Sequence, residues 1–195
     1  RSVIGKNLND IILVTLADHL NFLLNRVEQG MLYRNPTLLE IKRFYPTEFA
    51  VASYGVKKIE DRYGVSLTED EAGFIALHIV NAELDSNMGN TMQITELIQN
   101  IVDIVSDFYG NDLNQESDYY DRFITHLKFL GQRIFKNKST KVAEDDGLSS
   151  MICKRYPKEF GCAKKIALYI KKTFLYEIKN DEKMYLTIHL RQVIM

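Results

Sequence analysis

Apolar residues recur along this 195-residue chain with the spacing of amphipathic helices rather than of strands. Between Ile12 and Val27 they fall at positions 12, 13, 16, 20, 23, 24 and 27, which places them along one helical face. Few segments alternate apolar and polar residues with the period of two that a half-buried strand requires. The pattern therefore predicts an all-α fold.

Proline, glycine and one threonine–glutamate pair mark further helix ends. Pro46 suits the first turn of a helix, and Gly64 suits the C-cap of the same helix. The apolar stripe between them comprises Phe49, Ala52, Val56, Ile59 and Tyr63. A matching stripe later in the chain comprises Phe160, Ala163, Ala167, Ile170 and Phe174. Thr68 and Glu71 have the spacing of a capping box, which predicts that the next helix begins there.

Three sequence blocks occur twice in the same order, and such repetition predicts tandem copies of one structural unit. The matched pairs are HLNFLLNRV (19–27) with HLKFLGQRI (126–134), YPTEF (45–49) with YPKEF (156–160), and DEAGFIALHI (70–79) with DEKMYLTIHL (181–190). Because each copy is helical by its pattern, we predict two tandem homologous helical bundles.

The repeat also predicts where the domains meet. We place the first domain at residues 1–88 and the second at 89–195, with Met92 to Tyr109 forming the first helix of the second copy. The second copy is longer because of the polar stretch 136–150, which has few large apolar residues. We predict a loop there, inside the second domain.

Composition excludes several classes of protein. The net charge of −1 provides no basic field to hold a polyanion, and no apolar run approaches the roughly 20 residues that span a bilayer. Cys153 and Cys162 match neither a disulfide framework nor a zinc pattern, which favours the reducing cytoplasm. The chain begins RSVIGKN without a methionine, so we expect it to be a fragment of a longer protein.

All four histidines lie in the repeated blocks. His19 and His126 occupy one block, while His78 and His189 occupy another, and no histidine lies elsewhere. The first two fall on the flank of an apolar helical stripe, partly buried yet reachable. The other two belong to helices that are apolar on most sides, so we expect them to face a bundle interior or a subunit interface.

Charged residues accompany the histidines in both copies. Arg26 and Arg133 share a helix face with the first histidine of each copy. Glu71 and Glu182 precede the second histidine by seven residues, roughly 10 Å along the axis and too far for a direct bond to it. Ordinary roles for such residues are surface salt bridges for the arginines and helix caps for the acids. The aromatic residues of the YPxEF blocks are expected to be core.

The spacing of the histidines does not favour most of the chemistry that histidine performs. No two have the i, i+3 or i+4 spacing of metal ligands, and no Ser or Cys nucleophile is repeated beside them. A glycine-rich phosphate loop is also missing, so we predict neither a metal nor another cofactor. Proton sensing and phosphoryl acceptance remain, because neutral imidazole is a nucleophile near neutral pH. Duplicated structural histidines remain an equal alternative.

At these blocks the sequence resembles the duplicated PTS regulation domain (PRD) of bacterial transcriptional antiterminators of the BglG/SacY family, the LicT type in particular. The resemblance covers nearly the whole chain through H-L-x-F-L-x-x-R, Y-P-x-E-F and D-E-x-x-[FY]-x-x-x-H, each present twice. It implies a non-enzymatic, all-α regulatory protein whose histidines are phosphorylated. The implied sites are His19, His78, His126 and His189. Supporting roles fall to Asp18, Arg26, Glu71, Arg133 and Glu182.

The resemblance also implies partners. It implies a homodimer phosphorylated by the carrier HPr and by a sugar-specific transporter of the phosphotransferase system, the transporter acting negatively on the first domain. In this family a separate N-terminal RNA-binding domain holds an mRNA hairpin, so we expect this chain alone not to bind RNA. Three alternatives stay open: the PRD region of a DNA-binding activator, an enzyme that passes phosphoryl groups onward, and a dimerisation module with structural histidines.

Overall fold

The computed structural model describes residues 8–84, 87–110, 113–136 and 146–194, and within these ranges every regular element is an α-helix. The helices are α1 (Ile11–Glu28), α2 (Leu38–Phe44), α3 (Pro46–Tyr63), α4 (Glu69–Glu83), α5 (Met88–Tyr109), α6 (Asp118–Phe135), α7 (Asp146–Arg155), α8 (Pro157–Phe174) and α9 (Asn180–Val193). The predicted all-α class is confirmed. No helix in the described ranges is long and apolar enough to cross a membrane.

Local sequence signals explain where several of these helices begin and end. Pro46 and Pro157 occupy the first turns of α3 and α8, where the missing N–H has no partner to lose. Gly64 ends α3 in the left-handed conformation, with φ of 65°. At the corresponding position after α8, Leu175 adopts the same conformation with φ of 54° and is exposed. The repeat thus preserves the left-handed turn even without glycine.

The predicted capping box at the start of α4 is wrong, although the helix does begin there. Thr68 has the extended conformation of an N-cap, but its side chain makes no capping hydrogen bond. The Glu71 carboxylate instead contacts Arg26 on α1. A buried arginine requires a compensating charge more strongly than a helix end requires a reciprocal cap, since an unpaired buried charge costs several kcal/mol.

The structure repeats in the same way as the sequence. Helix α6 has the bounds of α1 shifted by 107 residues, and α8 has the bounds of α3 shifted by 111 residues. In the first copy α4 packs against α1, α2 and α3, and in the second copy α9 packs against α6, α7 and α8. The helix that carries the second histidine is therefore the central helix of each copy.

Two compact units divide the chain, Arg1–Glu96 and Leu97–Met195. The division falls within α5, whereas the predicted boundary after residue 88 lies at the first turn of that helix. Helix α5 also begins four residues before the predicted Met92. Of the loop predicted at 136–150, residues 137–145 lie outside the described residues, and residues 146–150 belong to α7.

The repeated YPxEF block contributes less aromatic core than predicted. Tyr45 is fully buried and its hydroxyl lies 3.2 Å from that of Thr95. The other aromatic residues of the two blocks are only half-buried, namely Phe49, Tyr156 and Phe160. The glutamates of the block are buried instead, and Glu159 pairs with Arg191 at 3.4 Å. In the second copy the block therefore anchors α8 partly through a charge rather than through aromatic packing alone.

Candidate functional site: a histidine pair in each unit

The first unit brings its two histidines into contact. His19 on α1 and His78 on α4 have ring centroids 5.0 Å apart, and both side chains are half-buried. Phe74, one turn before His78 on α4, lies 6.1 Å from the ring of His19. The two imidazoles therefore share one small, partly apolar surface between helices that are distant in sequence.

A buried ion pair lies beside these rings, about two helical turns along each helix. Arg26 donates to the Oε1 atom of Glu71, and both side chains are almost completely shielded from solvent. The guanidinium also lies 4.4 Å from the ring centre of Tyr33 and 5.6 Å from that of Phe22. Aromatic faces stabilise a desolvated cation, which helps to offset the cost of burying it.

Glu71 also connects the ion pair to the histidines. Its second oxygen, Oε2, lies 3.7 Å from Nε2 of His19, and neither atom has a hydrogen-bond partner. Protonation of His19 would create an ion pair at that distance. The Glu71 carboxylate therefore contacts the guanidinium of Arg26 with one oxygen and lies near the titratable ring of His19 with the other.

The second unit repeats this arrangement. His126 on α6 and His189 on α9 have ring centroids 4.8 Å apart, and Tyr185 lies 6.3 Å from the ring of His126. Arg133 donates to Oε1 of Glu182 at 2.7 Å. The same oxygen lies 2.9 Å from Nε2 of His126, and this contact helps to lower the pKa of Glu182. One carboxylate oxygen thus contacts both the guanidinium and the imidazole.

Burial lowers the pKa of three of the four imidazoles, so these rings stay neutral at pH values at which a free histidine begins to be protonated. Desolvation, together with the nearby His78 and Arg26, lowers the pKa of His19 from 6.5 to about 4. Desolvation also lowers the pKa of His78. In the second unit burial lowers the pKa of His189 to about 4, assisted by His126 and Arg122 and opposed by Glu182. These rings carry free lone pairs at neutral pH.

The two carboxylates respond differently to their surroundings. Burial raises the pKa of Glu71 above its ordinary value, although the positive charge of Arg26 opposes the rise. Burial acts in the same direction on Glu182, but its contacts with His126 and Arg133 outweigh burial and lower the pKa. The second unit therefore stabilises the ionised form of its carboxylate more strongly than the first unit does.

Of the residues singled out from the sequence, eight meet in these two clusters. They are His19, Arg26, Glu71 and His78 in the first unit and His126, Arg133, Glu182 and His189 in the second. Asp18 is exposed and joins none of the ion pairs found among the described residues. Arg26 is not the surface partner that its type suggests, because it is 3% exposed, whereas the side chain of Arg133 is 23% exposed.

The contact between the two histidines of a copy is not among the features predicted from the sequence. The signal was a matched spacing of seven residues on both helices. Arg26 follows His19 by seven, and His78 follows Glu71 by seven. If two such helices pack antiparallel, a contact between the histidines automatically brings the arginine beside the glutamate, since seven residues are about two turns. The second copy has the same spacings.

Within the described ranges, no group of three or more His, Cys, Asp or Glu side chains is placed to hold a metal ion. What the clusters offer is a pair of neutral nucleophilic rings beside a carboxylate and an arginine. Such a ring can accept a proton or an electrophile such as a phosphoryl group. Either event adds charge at a packed helix pair.

Comparison with known proteins identifies the repeat. The sequence model of the PRD domain matches residues 2–82 and 99–193. The chain is 44% identical over 191 residues to the transcription antiterminator LicT of Bacillus subtilis (strain 168), which covers 98% of this chain and 69% of that protein. It is 40% identical over 190 residues to the beta-glucoside operon antiterminator of Dickeya chrysanthemi, covering 97% of this chain and 67% of that protein.

A more distant relative has the same kind of name. The PtsGHI operon antiterminator of Bacillus subtilis (strain 168) is 33% identical over 169 residues, with 87% of this chain and 59% of that protein covered. All three relatives are named as regulators of transcription rather than as enzymes.

Proposed function

The chain belongs to the PRD domain family, and from that premise we propose that its paired histidines accept phosphoryl groups and thereby control a transcriptional antiterminator. The observation that carries this proposal is the duplicated contact between histidines, at 5.0 Å in one unit and 4.8 Å in the other. A structural histidine in a core needs a partner for its ring nitrogens. Here one ring nitrogen of each histidine is buried, and those of His19, His78 and His189 make no hydrogen bond.

The environment suits a phosphoryl acceptor. Lowered pKa values keep His19, His78 and His189 neutral at cytosolic pH, and a neutral ring is the nucleophilic form. A phosphoryl group then adds nearly two negative charges beside a carboxylate. In the first unit that carboxylate, Glu71, lies 3.7 Å from His19, so phosphorylation places like charges together and favours repacking of α1 against α4.

We assign the donors and the output by family membership. The phosphoryl groups come from HPr and from a sugar-specific transporter of the phosphotransferase system, and the protein acts as a cytoplasmic homodimer. Phosphorylation of the first unit disfavours the active dimer, and phosphorylation of the second favours it. Contact with an mRNA hairpin belongs to the RNA-binding domain of the family and not to these two units, whose net charge is −1.

The test is phosphoryl transfer to the purified chain. We incubate it with phosphoenolpyruvate, the first enzyme of the phosphotransferase system and HPr, adding the sugar-specific transporter in a second arm. Intact-mass spectrometry at alkaline pH, where phosphohistidine survives, should show added phosphoryl groups that are located on the four histidines. A variant with alanine at all four positions is the matched control and should gain none.

Two results would contradict the proposal. A chain that gains no phosphoryl group in either arm would leave the histidines structural. A chain that passes its phosphoryl group to a third protein would instead be a phosphotransfer enzyme.

A further inference from the structure

The two nitrogens of the His126 ring have different surroundings. Nε2 is fully buried and lies 2.9 Å from Oε1 of Glu182, while the side chain as a whole is 15% exposed. The exposed part of the side chain therefore excludes Nε2. We propose that Glu182 holds a proton on Nε2 of His126 and so makes Nδ1 the nitrogen that is phosphorylated, an inference that rests on the proposed function.

The physical basis is the choice between two tautomers. A neutral imidazole carries its single proton on one nitrogen and a nucleophilic lone pair on the other, and the neighbour of either nitrogen decides which is which. A carboxylate accepts a proton but offers none, so it favours the tautomer with N–H on the facing nitrogen. Burial raises the pKa of Glu182, but the contacts with His126 and with Arg133, 2.7 Å from the same oxygen, outweigh it and lower the pKa, which favours the ionised carboxylate.

His189 presents the opposite nitrogen. In its ring Nδ1 is the buried atom without a hydrogen-bond partner, as it is in His78 of the first unit. A buried nitrogen cannot be approached in line by a donor protein unless the helices separate. We therefore assign phosphorylation of His189 to Nε2. The two histidines of one unit then give different phosphohistidine isomers.

The transfer step balances without any further reactant. The Nδ1 lone pair of His126 forms a bond to phosphorus, and the bond between phosphorus and a ring nitrogen of the donor's phosphohistidine breaks. The electron pair of that bond returns to the donor ring. The proton on Nε2 of His126 stays there, shared with Glu182, and offsets part of the incoming negative charge. Glu182 acts here as a positioning residue.

The isomers can be distinguished by nuclear magnetic resonance. Chains labelled with ¹⁵N-histidine and carrying His19→Ala, His78→Ala and His189→Ala are phosphorylated with phosphoenolpyruvate, the first phosphotransferase enzyme and HPr. Long-range ¹H–¹⁵N correlation should then show phosphorus on Nδ1 of His126. The matched chain carries His19→Ala, His78→Ala and His126→Ala with His189 intact, and it should show phosphorus on Nε2 of His189. Phosphorylation of His126 on Nε2 would overturn the inference.

A second measurement does not depend on phosphorylation. In the unphosphorylated chain the ¹⁵N shifts of His126 should show the Nε2–H tautomer, and Glu182→Gln should convert it to a mixture, whereas Glu182→Asp should retain it. Glu177→Gln, at an exposed ion pair with Lys171, is the control and should change nothing. An unchanged tautomer in Glu182→Gln would contradict the role of Glu182. Correct tautomers without any phosphoryl uptake would leave this role standing and contradict the proposed function alone.

Discussion

In the first unit Glu71 gives one oxygen to Arg26 and keeps the other 3.7 Å from His19, whereas in the second unit one oxygen of Glu182 contacts both Arg133 and His126. Both clusters have the same four residue types at the same spacings. The difference lies in how the carboxylate is shared. A duplicated sequence pattern thus specifies which residues meet, while their surroundings decide which contact dominates.

Burial accounts for this difference. The side chain of Arg26 is 4% exposed and lies against the rings of Phe22 and Tyr33, whereas that of Arg133 is 23% exposed. A deeply buried cation without other charge partners takes most of the interaction with its carboxylate. A cation that is partly hydrated competes less, and His126 can share Glu182. In the first unit the carboxylate therefore interacts mainly with the arginine, whereas in the second unit it also contacts the histidine.

The largest expected contrast is in stability. Arg26→Met leaves Glu71 buried and unpaired, so it should lower the free energy of unfolding by about 3 to 5 kcal/mol. Arg133→Met should lower the free energy of unfolding by about 1.5 to 3 kcal/mol, because Glu182 retains its contact with His126 and is partly accessible to solvent. Urea denaturation of both variants provides the comparison. Lys42→Met, at a surface pair with Glu69, is the control and should fall within about 1 kcal/mol of the parent. Equal losses in the two arginine variants would remove the distinction between the units.

The next contrast concerns pH. The pKa values of His19 and His189 are about 4 in the folded chain and return to 6.5 on unfolding. Between these values the unfolded chain binds more protons, so stability is present at neutral pH and is lost as the pH falls through this window. Lowering the pH from 7 to 5 should cost about 2 kcal/mol for each of these histidines.

This pH dependence can be assigned by substitution. His19→Gln should flatten the dependence of urea denaturation in the first unit, and His189→Gln should do so in the second. If both variants keep the slope of the parent, burial of these two rings does not control the titration.

The smallest expected effect comes from a cation that only the second unit has. Arg122 lies one turn before His126 on α6 and lowers the pKa of His189, whereas the corresponding position of α1 holds Thr15. Arg122→Gln should therefore raise the pKa of His189 slightly, and Thr15→Arg should lower that of His78. Titration of both rings by nuclear magnetic resonance measures each shift. Shifts of the opposite sign would mean that position 122 does not face the histidine pair.

The helices and the repeat could be predicted because they depend on local information. Pro46, Gly64 and the apolar spacing fix α3 without reference to the rest of the chain. The site depends on packing between helices, and Glu71 illustrates the limit. Its sequence neighbours indicate a helix cap, but Arg26, which is 45 residues away, takes its carboxylate. A pattern in neighbouring residues cannot show that a buried arginine on another helix will bind this carboxylate more strongly than the helix end does.

Burial along the first helix of each copy was equally hard to predict. Helix α6 buries seven residues, from Tyr120 to Ile134, whereas α1 buries only Leu23 and Arg26. The apolar pattern is present in both helices. On α1, however, Ile11, Leu13 and Val14 are each more than half exposed. A pattern shows which face is apolar, but not whether another element covers it.

The claim that the two units respond in opposite ways to negative charge is tested most directly by the dimer dissociation constant. Aspartate carries about one negative charge, against nearly two for a phosphoryl group, so it is a partial mimic. Sedimentation equilibrium compares the parent chain with two double variants. His126→Asp with His189→Asp should tighten the dimer, because Arg122 is close enough to His189 to lower its pKa and can receive the charge. His19→Asp with His78→Asp should not, since Arg26 is already committed to Glu71. Dissociation constants equal to that of the parent in both variants would contradict the account.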